Sequence, residues 1–257
     1  MIKPSGSSHW YEYDGTPAYD ADLRRARKQG LAPSVTSIIG ILDKPAITAW
    51  KVNKALDAAF AVKPSEDRES WGREVEALWK AETDRAAELG TAIHDFCESV
   101  INGEAISCPE GYESVCLQAA QWIAEHINSA EAEHSFRHDS FHPYAGRIDA
   151  FGYLEDGRRF VLDFKTQACK GKKPTYYPEW EWQLAAYKHY LDSARAEISL
   201  GPDGLKIDRG PHQAISVVID TSPEGAIHSR EWSEVEMEEA LNTFTAIKSA
   251  FYAIKRL

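Results

Sequence analysis

Residues 146–165 read GRIDAFGYLEDGRRFVLDFK and contain two strand-like runs on either side of a turn. Apolar and polar residues alternate in both runs, and Asp156-Gly157 between them is a strong hairpin signal. Asp163 and Lys165 lie two residues apart on the second run, so their side chains leave the same face of the strand. A carboxylate and an amine on an otherwise apolar strand are costly to bury unless something uses them.

The length of the turn decides whether Asp149 joins these two residues. A two-residue turn would set Asp149 opposite Phe164, on the wrong face of the sheet from Asp163. A three-residue loop or a bulge would set Asp149 on the same side as Asp163. Two adjacent carboxylates repel each other, and a hard divalent cation relieves that repulsion. The alternative interpretation is an exposed hairpin whose Asp and Lys form a weakly stabilising surface salt bridge.

Two further pairs of residues lie one helical turn apart and therefore share a helix face. His94 and Glu98 offer an imidazole and a carboxylate, which are both competent manganese ligands, whereas magnesium prefers oxygen. The alternative is that His94 packs within its helix and Glu98 is solvated. Gln183 offers a donor and an acceptor, and Tyr187 adds a hydroxyl group and a ring. An amphipathic helix with a buried stripe explains Tyr187 well and Gln183 poorly.

Helical periodicity dominates before the hairpin, and strands and helices alternate after it. This order predicts an α/β or α+β core behind a helical N-terminal half, in one continuous domain. Helices are predicted at 23–28, 34–42, 46–60, 69–100 (with Gly90 as a point where it could break), 112–127, 178–191 and 233–255, and strands at 132–138, 144–154, 159–166, 213–220 and 226–232.

The charge of the chain is acidic overall but unevenly distributed. The 257 residues include 29 basic and 40 acidic ones, a net charge of −11, which argues against broad, unselective coating of nucleic acid. The segment 158–173 instead contains six basic residues and one acid, and aromatic residues follow it. Cations beside rings suit a single strand, because bases stack on rings without sequence preference. The alternative is a solvated lysine loop with tryptophans packed in the core. The candidate contacts are Lys170, Lys172, Lys173, Tyr176 and Trp180.

The cysteines and the absence of targeting signals limit the cellular compartments that the sequence favours. The first residues lack the apolar core of a signal peptide, and no apolar run is long enough to span a membrane. The four cysteines contain no CxxC pair, so their spacing gives no signal for a zinc or iron–sulfur site. We therefore expect reduced thiols in a cytoplasmic, reducing compartment, with no zinc and no membrane partner.

Four short motifs occur in one order along the chain: GTAIH at 90–94, GRID at 146–149, LDFK at 162–165 and QLAAY at 183–187. Together they resemble the RecB-like branch of the PD-(D/E)XK nucleases. Within that branch, the chain resembles the group around mitochondrial genome maintenance exonuclease and its phage and bacterial relatives. Residues 33–36, followed by a helix and Trp50, are similar to the N-terminal signature of that group.

The resemblance implies a fold and a division of the chain. The fold would be α/β, a restriction-endonuclease-like core with a central mixed sheet flanked by helices and a helical N-terminal half. Residues 1–257 would form a single nuclease domain. A mostly helical, DNA-contacting part would span 1–84, the catalytic core 85–195, and a strand pair with a C-terminal helix 196–257.

The resemblance also implies roles for individual residues. One or two Mg²⁺ or Mn²⁺ ions would be held by Asp149, Asp163 and His94, with Glu98 as a further acid on the same helix. Lys165 would be the catalytic lysine, and Gln183 and Tyr187 would position the site or the strand. The cysteine set of the iron–sulfur variants is absent. The expected DNA contacts near the motifs are Ser34, Thr36 and Arg147.

The activity expected from this resemblance is metal-dependent hydrolysis of DNA phosphodiester bonds, by an exonuclease acting on single-stranded DNA in a bacterial or phage-infected cell. A recombination or replication protein would be a further partner. A duplex-end recombination exonuclease, a structure-specific endonuclease and a non-catalytic DNA-binding module remain open as alternatives. RNA also remains open as a substrate, because nothing in the sequence reads a 2′-hydroxyl group.

Overall fold

A five-stranded mixed sheet with helices on both faces forms the centre of the computed structural model, which describes residues 9–105, 107–194 and 210–257. The chain begins with β1 (Trp10–Tyr11), α1 (Leu23–Gln29), β2 (Ala32–Pro33), α2 (Val35–Ile39), α3 (Pro45–Ala61), α4 (Arg68–Asn102) and α5 (Glu113–His126). It continues with β3 (Ile127–His138), β4 (Tyr144–Leu154), β5 (Arg159–Gln167), α6 (Pro178–Ala194), β6 (Gln213–Asp220), β7 (Ile227–Trp232) and α7 (Glu234–Lys255). The α/β architecture with a helical N-terminal half is confirmed. The predicted division at 195–196 lies outside the described residues.

The order of strands in the sheet is β3-β4-β5-β6-β7. Neighbouring strands are antiparallel except β5 and β6, which run parallel. Parallel strands need a crossover connection, and here that connection contains α6. The sheet therefore carries α6 beside the strand that holds Asp163 and Lys165.

Both faces of the sheet are buried, as expected for a sheet with a parallel pair at its centre. On one face, α2, α6 and α7 pack around a core that includes Phe136, Leu184 and Phe244. On the other face, α4 and α5 cover a core that includes Ile93 and Phe164. The two layers hold the middle strands between rigid supports.

Helix α4 runs without interruption through Gly90, so the possible break there does not occur. The glycine instead allows a close approach to the sheet, because a Cβ atom at Gly90 would lie 3.3 Å from Thr166 Oγ1 on β5. Asp67 caps the start of the helix by accepting hydrogen bonds from the backbone of Glu69 and Ser70. One unbroken helix thus connects the N-terminal half to the sheet.

Helix α3 packs against α4 to form a hairpin, which we call the α3–α4 hairpin. The helix was predicted from apolar residues at helical spacing, but only part of this stripe is covered. Ile47 is 42% exposed and Trp50 39%, whereas Ala58 is buried; Phe60, at the end of the predicted helix, is 90% exposed. Helical periodicity is therefore a correct guide to the helix here and a poor guide to burial.

The two-residue strands β1 and β2 pair with each other and were not predicted. Their pairing, with Trp10 opposite Pro33, brings the N-terminal segment against the start of α2. All four cysteines lie in described residues and are free thiols. Among the described helices, none combines the length and the apolar character needed to cross a membrane.

Candidate active site

The hairpin between β4 and β5 closes through a three-residue loop. Leu154 N donates to Arg158 O at 2.9 Å, so residues 155–157 form the loop, and Gly157 takes the positive φ of 82° that such a loop needs. In the resulting register Ala150 is opposite Leu162, so Asp149 and Asp163, the next residue on each strand, lie on the same face. The shared site required a loop of this kind, and a two-residue turn would have separated the carboxylates.

The two carboxylates lie where the sheet separates. The described pairing of β4 with β5 ends at Ala150 and Leu162, while β4 stays paired with β3 as far as Tyr144 and β5 with β6 as far as Gln167. We call this point, with Asp149 on one strand and Asp163 on the other, the carboxylate fork. Phe164 N, which lies beyond the last recorded β4–β5 pair, donates to Asp149 Oδ2 at 2.8 Å. The backbone thereby fixes the orientation of one carboxylate.

A chain of polar contacts links β5 to α6. Lys165 Nζ lies 2.5 Å from Asp163 Oδ2, and Gln183 Nε2 donates to Asp163 Oδ1 at 2.9 Å. Lys165 Nζ also donates to Gln183 Oε1 at 3.3 Å, and Gln183 Nε2 contacts the Tyr187 hydroxyl at 3.0 Å. Gln183 therefore touches the acid, the amine and the phenol at once. This accounts for a glutamine on a mostly buried helix face.

Helix α4 supplies the groups on the other side of the fork. His94 Nδ1 lies 3.4 Å from Asp149 Oδ2, and the His94 ring meets Phe164 edge to face at 6.3 Å. Glu98, one turn along, adds a negative charge that contributes to the raised pKa of Asp149. The sequence placed His94 and Glu98 on one face, and the fold turns that face towards Asp149.

Burial governs the electrostatics of the site. It raises the pKa of Asp163 to about 6, against the opposing effect of Lys165, and it also raises the pKa of Asp149. Burial and the nearby Lys165 lower the pKa of His94 to about 4, so the imidazole is neutral at pH 7. Burial and Asp163 hold the pKa of Tyr187 well above its usual value, so the phenol stays protonated. Two carboxylates whose charged forms are disfavoured by burial thus lie beside a neutral imidazole.

These side chains fit a divalent cation. Asp163 is 1% exposed, and its Oδ2 accepts no well-aligned hydrogen bond despite the ion pair with Lys165. A cation would compensate the buried charge, and two carboxylates with a neutral imidazole form the oxygen-rich donor set of Mg²⁺ or Mn²⁺ sites. Asp149, Asp163 and His94 would hold it, with Glu98 nearby.

The expected DNA contacts from the N-terminal half have mixed environments. Ser34 is buried and caps α2: its Oγ accepts from Ser37 N at 3.0 Å and lies 3.1 Å from Thr36 Oγ1. Ser34 also bridges to Ala145 at the start of β4, whereas Thr36 is exposed. No described contact joins either residue to the carboxylate fork. Ser34 therefore has a clear structural role, and Thr36 has an accessible hydroxyl group.

Arg147 lies beside the fork, two residues before Asp149 on β4. Its guanidinium is 2.6 Å from Glu133 on β3, and its charge contributes to lowering the pKa of His94. Glu133 was not singled out from the sequence, although it adopts an unusual positive φ of 56° in a strand. An isolated glutamate in a polar strand carries no sequence signal, and only the pairing of β3 with β4 brings it to this place.

Lys170, Lys172 and Lys173 are exposed on the segment that follows β5, residues 168–173, which we call the basic loop. Trp180 lies at the start of α6, with its ring centre 6.0 Å from Lys165 Nζ. Tyr176 packs on Trp232 and beside Arg230, so part of its ring is covered. Of the neighbouring tryptophans, Trp182 packs against the main core, as the alternative interpretation required for at least one of them.

Comparisons with known proteins give little at the level of sequence. No family model matches the chain, and no curated protein matches it. Among solved structures, 17 chains match.

One of these solved structures is the "Putative exonuclease" from Eubacterium rectale, with 12% identity and a TM-score of 0.46 over 65% of this chain and 68% of that chain. Another is the protein SSO0001, with 17% identity and a TM-score of 0.35 over 78% of this chain and 86% of that chain. Such distant likenesses do not bear on what this chain does.

Proposed function

We propose that this protein is a Mg²⁺- or Mn²⁺-dependent deoxyribonuclease of the PD-(D/E)XK type, with its active site at the carboxylate fork. The observation that carries the proposal is the meeting of Asp149, Asp163 and Lys165 between two supporting helices. Each of the three is largely buried, with side-chain exposures of 16%, 1% and 19%. Burying two acids and an amine is costly, and hydrolysis of a phosphodiester uses all three.

Each side chain has a role that follows from its contacts. When bound, the metal ion would supply Lewis-acid polarisation of the phosphate and a more acidic water. Asp149, oriented by the Phe164 N–H group, and Asp163, oriented by Gln183, would hold the ion together with the neutral His94. Lys165 would stabilise the charge that develops on the phosphate.

Gln183 would act as a positioning residue, because it contacts Asp163 and Lys165 together and fixes their separation. Tyr187 supports Gln183 and packs against Gly146 of the GRID motif. A Cβ atom at Gly146 would lie 2.9 Å from the Tyr187 ring, which gives the glycine a packing reason. Arg147, held by Glu133, would contribute a positive charge at the edge of the site.

We further propose that the substrate is single-stranded DNA and that the enzyme acts as an exonuclease. Trp180 and the exposed lysines of the basic loop support this, since rings and cations together bind single strands. An apolar groove of about 320 Å³ also lies between the start of α3 and the start of α6, lined in part by Leu42, Tyr177 and Trp182. Trp182 directly precedes Gln183 on α6, so the same helix contributes to the groove and to the site.

The test is cleavage of end-labelled single- and double-stranded DNA and of a matched RNA, with Mg²⁺, with Mn²⁺ and with EDTA. We expect metal-dependent release of nucleotides from single-stranded DNA, and loss of activity in Asp149→Asn and Lys165→Ala. Asp139→Asn, an exposed carboxylate at the far end of β3, is the matched control. Undiminished cleavage by both site variants would refute the assigned site. Preference for duplex ends or RNA would refute the substrate only, and tight DNA binding without products would indicate a binding module.

A further inference from the structure

Three potential metal ligands from three different segments meet away from the carboxylate fork. Cys169 follows β5, Asp220 ends β6 and His228 lies near the start of β7. One ligand atom from each lies within 4.8 Å of the others, and we call this group the Cys–Asp–His cluster. Cys169 and Asp220 are 51 residues apart in sequence. Cysteine spacing gave no zinc signal because only one of the three ligands is a cysteine.

The backbone around the Cys–Asp–His cluster is fixed by hydrogen bonds. Asp220 Oδ1 accepts from Cys169 N and from Ser222 N, both at 2.9 Å. Lys170 N donates to Ser222 Oγ at 2.7 Å, and Thr221 N donates to Gln167 O at 3.0 Å. Two segments that are distant in sequence are thereby joined at the cluster. Both backbone donors to Asp220 use Oδ1.

The chemistry of the three ligands favours zinc over the ions proposed for the carboxylate fork. A thiolate, an imidazole and a carboxylate form a mixed sulfur, nitrogen and oxygen set, which suits Zn²⁺ and does not suit Mg²⁺. Cys169 and Asp220 are buried, while His228 is half-buried. The fourth tetrahedral position would be open to water, as in zinc sites with three protein ligands.

The present spacing is close to that of a zinc site. Zinc bonds of roughly 2.0–2.3 Å put tetrahedral ligand atoms about 3.5 Å apart. All three ligand atoms lie within 4.8 Å of one another, so closure requires each pair to approach by at most about 1.3 Å. His228, the most exposed of the three, is the side chain with room to make it.

We propose that Cys169, Asp220 and His228 bind one Zn²⁺ ion, separately from the carboxylate fork. The ion would join the basic loop to β6 and β7. Lys170 directly follows Cys169, so bound zinc would restrain the lysines proposed to contact DNA. Cys169 is four residues beyond Lys165 on an extended segment, roughly 13 Å along the chain, so the two sites do not share ligands.

The test uses the full chain, stripped with EDTA and then titrated with Zn²⁺ and separately with Co²⁺. We expect one tightly bound Zn²⁺ per chain and, with Co²⁺, a thiolate-to-cobalt charge-transfer absorption band. Cys169→Ser should abolish the band, and the control Cys108→Ser should keep it, since Cys108 lies outside the cluster. Asp149→Asn should also keep it, which separates this proposal from the proposed nuclease site.

His228→Gln provides a second variant in case Cys169→Ser fails to fold, because His228 is only half-buried. We expect its zinc affinity to fall by at least about tenfold, because even the loss of an outer-shell partner of a ligand usually weakens binding by that much. Absence of stoichiometric zinc binding by the folded wild type would overturn the proposal. So would a charge-transfer band that survives in Cys169→Ser, or unchanged zinc affinity in His228→Gln.

Discussion

The carboxylate fork and the α3–α4 hairpin use their residues in opposite ways. At the fork, charged groups are buried between two helix layers, with Asp163 only 1% exposed. On the hairpin, apolar groups are left in solvent, with Phe60 90% exposed. Both arrangements cost free energy relative to a protein that buries apolar groups and exposes charges. Each group at the fork has identifiable partners, and under the proposed function the cost of burying it serves catalysis, whereas the described residues leave much of the apolar surface of α3 uncovered.

The largest change in activity should come from a substitution at the carboxylate fork. Asp163→Asn removes one of two carboxylates from the proposed metal site but keeps the hydrogen bond from Gln183 possible. We expect cleavage of single-stranded DNA to fall on the order of 10²–10³-fold, with the fold retained. Single-turnover cleavage and circular dichroism on the same preparation would measure both. Full activity in this variant would mean that the buried charges of the fork are not needed for cleavage, and the contrast with the α3–α4 hairpin would lose its functional basis.

The second prediction concerns His94 and the pH dependence of stability in EDTA. Burial lowers the pKa of His94 to about 4, so below pH 6.5 the unfolded chain binds a proton that the native state does not. This contribution therefore reduces the free energy of unfolding as the pH is lowered from about 6.5 to about 4. Burial raises the pKa of Asp163 to about 6, so the native state binds its proton first and stability rises as pH falls from about 6 to about 4. The two effects oppose each other in the wild type.

His94→Gln should remove the opposing contribution and leave that of the two buried carboxylates, Asp163 and Asp149, whose pKa values burial raises. Relative to the wild type, its free energy of unfolding at pH 5 should improve against that at pH 7 by about 2 kcal/mol. Urea unfolding at the two pH values measures this difference, with His126→Gln at the exposed end of α5 as the control. An unchanged difference between pH 5 and pH 7 would mean that His94 is not held neutral by the fold.

A smaller effect is expected from the basic loop. Replacing Lys170, Lys172 and Lys173 together by alanine should weaken binding to single-stranded DNA and reduce its dependence on salt. The slope of log K against log salt should decrease by about 2, since each phosphate contact on a single strand contributes about 0.7. Fluorescence anisotropy in a salt series would measure it. A slope that does not change would mean that the loop is merely solvated.

The smallest effect should come from the α3–α4 hairpin. Phe60→Ser should change the free energy of unfolding by no more than about 0.5 kcal/mol, because the ring is already in solvent. Phe160→Ala, at a fully buried position on β5, should cost about 3–5 kcal/mol and is the matched comparison. A large loss of stability in Phe60→Ser would show that the ring is covered in solution.

Local patterns were enough to predict most elements. The limits of β4 follow from alternating residues and those of β6 from a short, mostly apolar run, and the start of α7 follows from Ser233 and Glu236, which form a capping box. The continuity of α4 could not be predicted, because the role of Gly90 depends on how closely β5 approaches it. The exposure of α3 likewise depends on what covers the helix, and periodicity carries no information about that.

In the site, too, local patterns predicted relations within one element, and contacts between elements could not be predicted. Asp163 with Lys165, and Gln183 with Tyr187, were predicted to share faces because each pair lies within one element. The meeting of Asp149 with Asp163 depended on the loop at 155–157, and the sequence allowed either register. The pairing of Arg147 with Glu133 depended on a third strand, and nothing in the sequence around Glu133 indicates it.

The uninterrupted course of α4 has a mechanical consequence. Its 35 residues form a rod about 52 Å long, with the α3–α4 hairpin at one end and His94 nearer the other. The ion pair of Lys54 with Glu82, at 2.9 Å, ties α3 to this rod. A displacement of the α3–α4 hairpin would therefore reach His94 and Glu98 through one unbroken helix. Gly90 lies on this path, where an added Cβ atom would be 3.3 Å from Thr166 Oγ1 of β5.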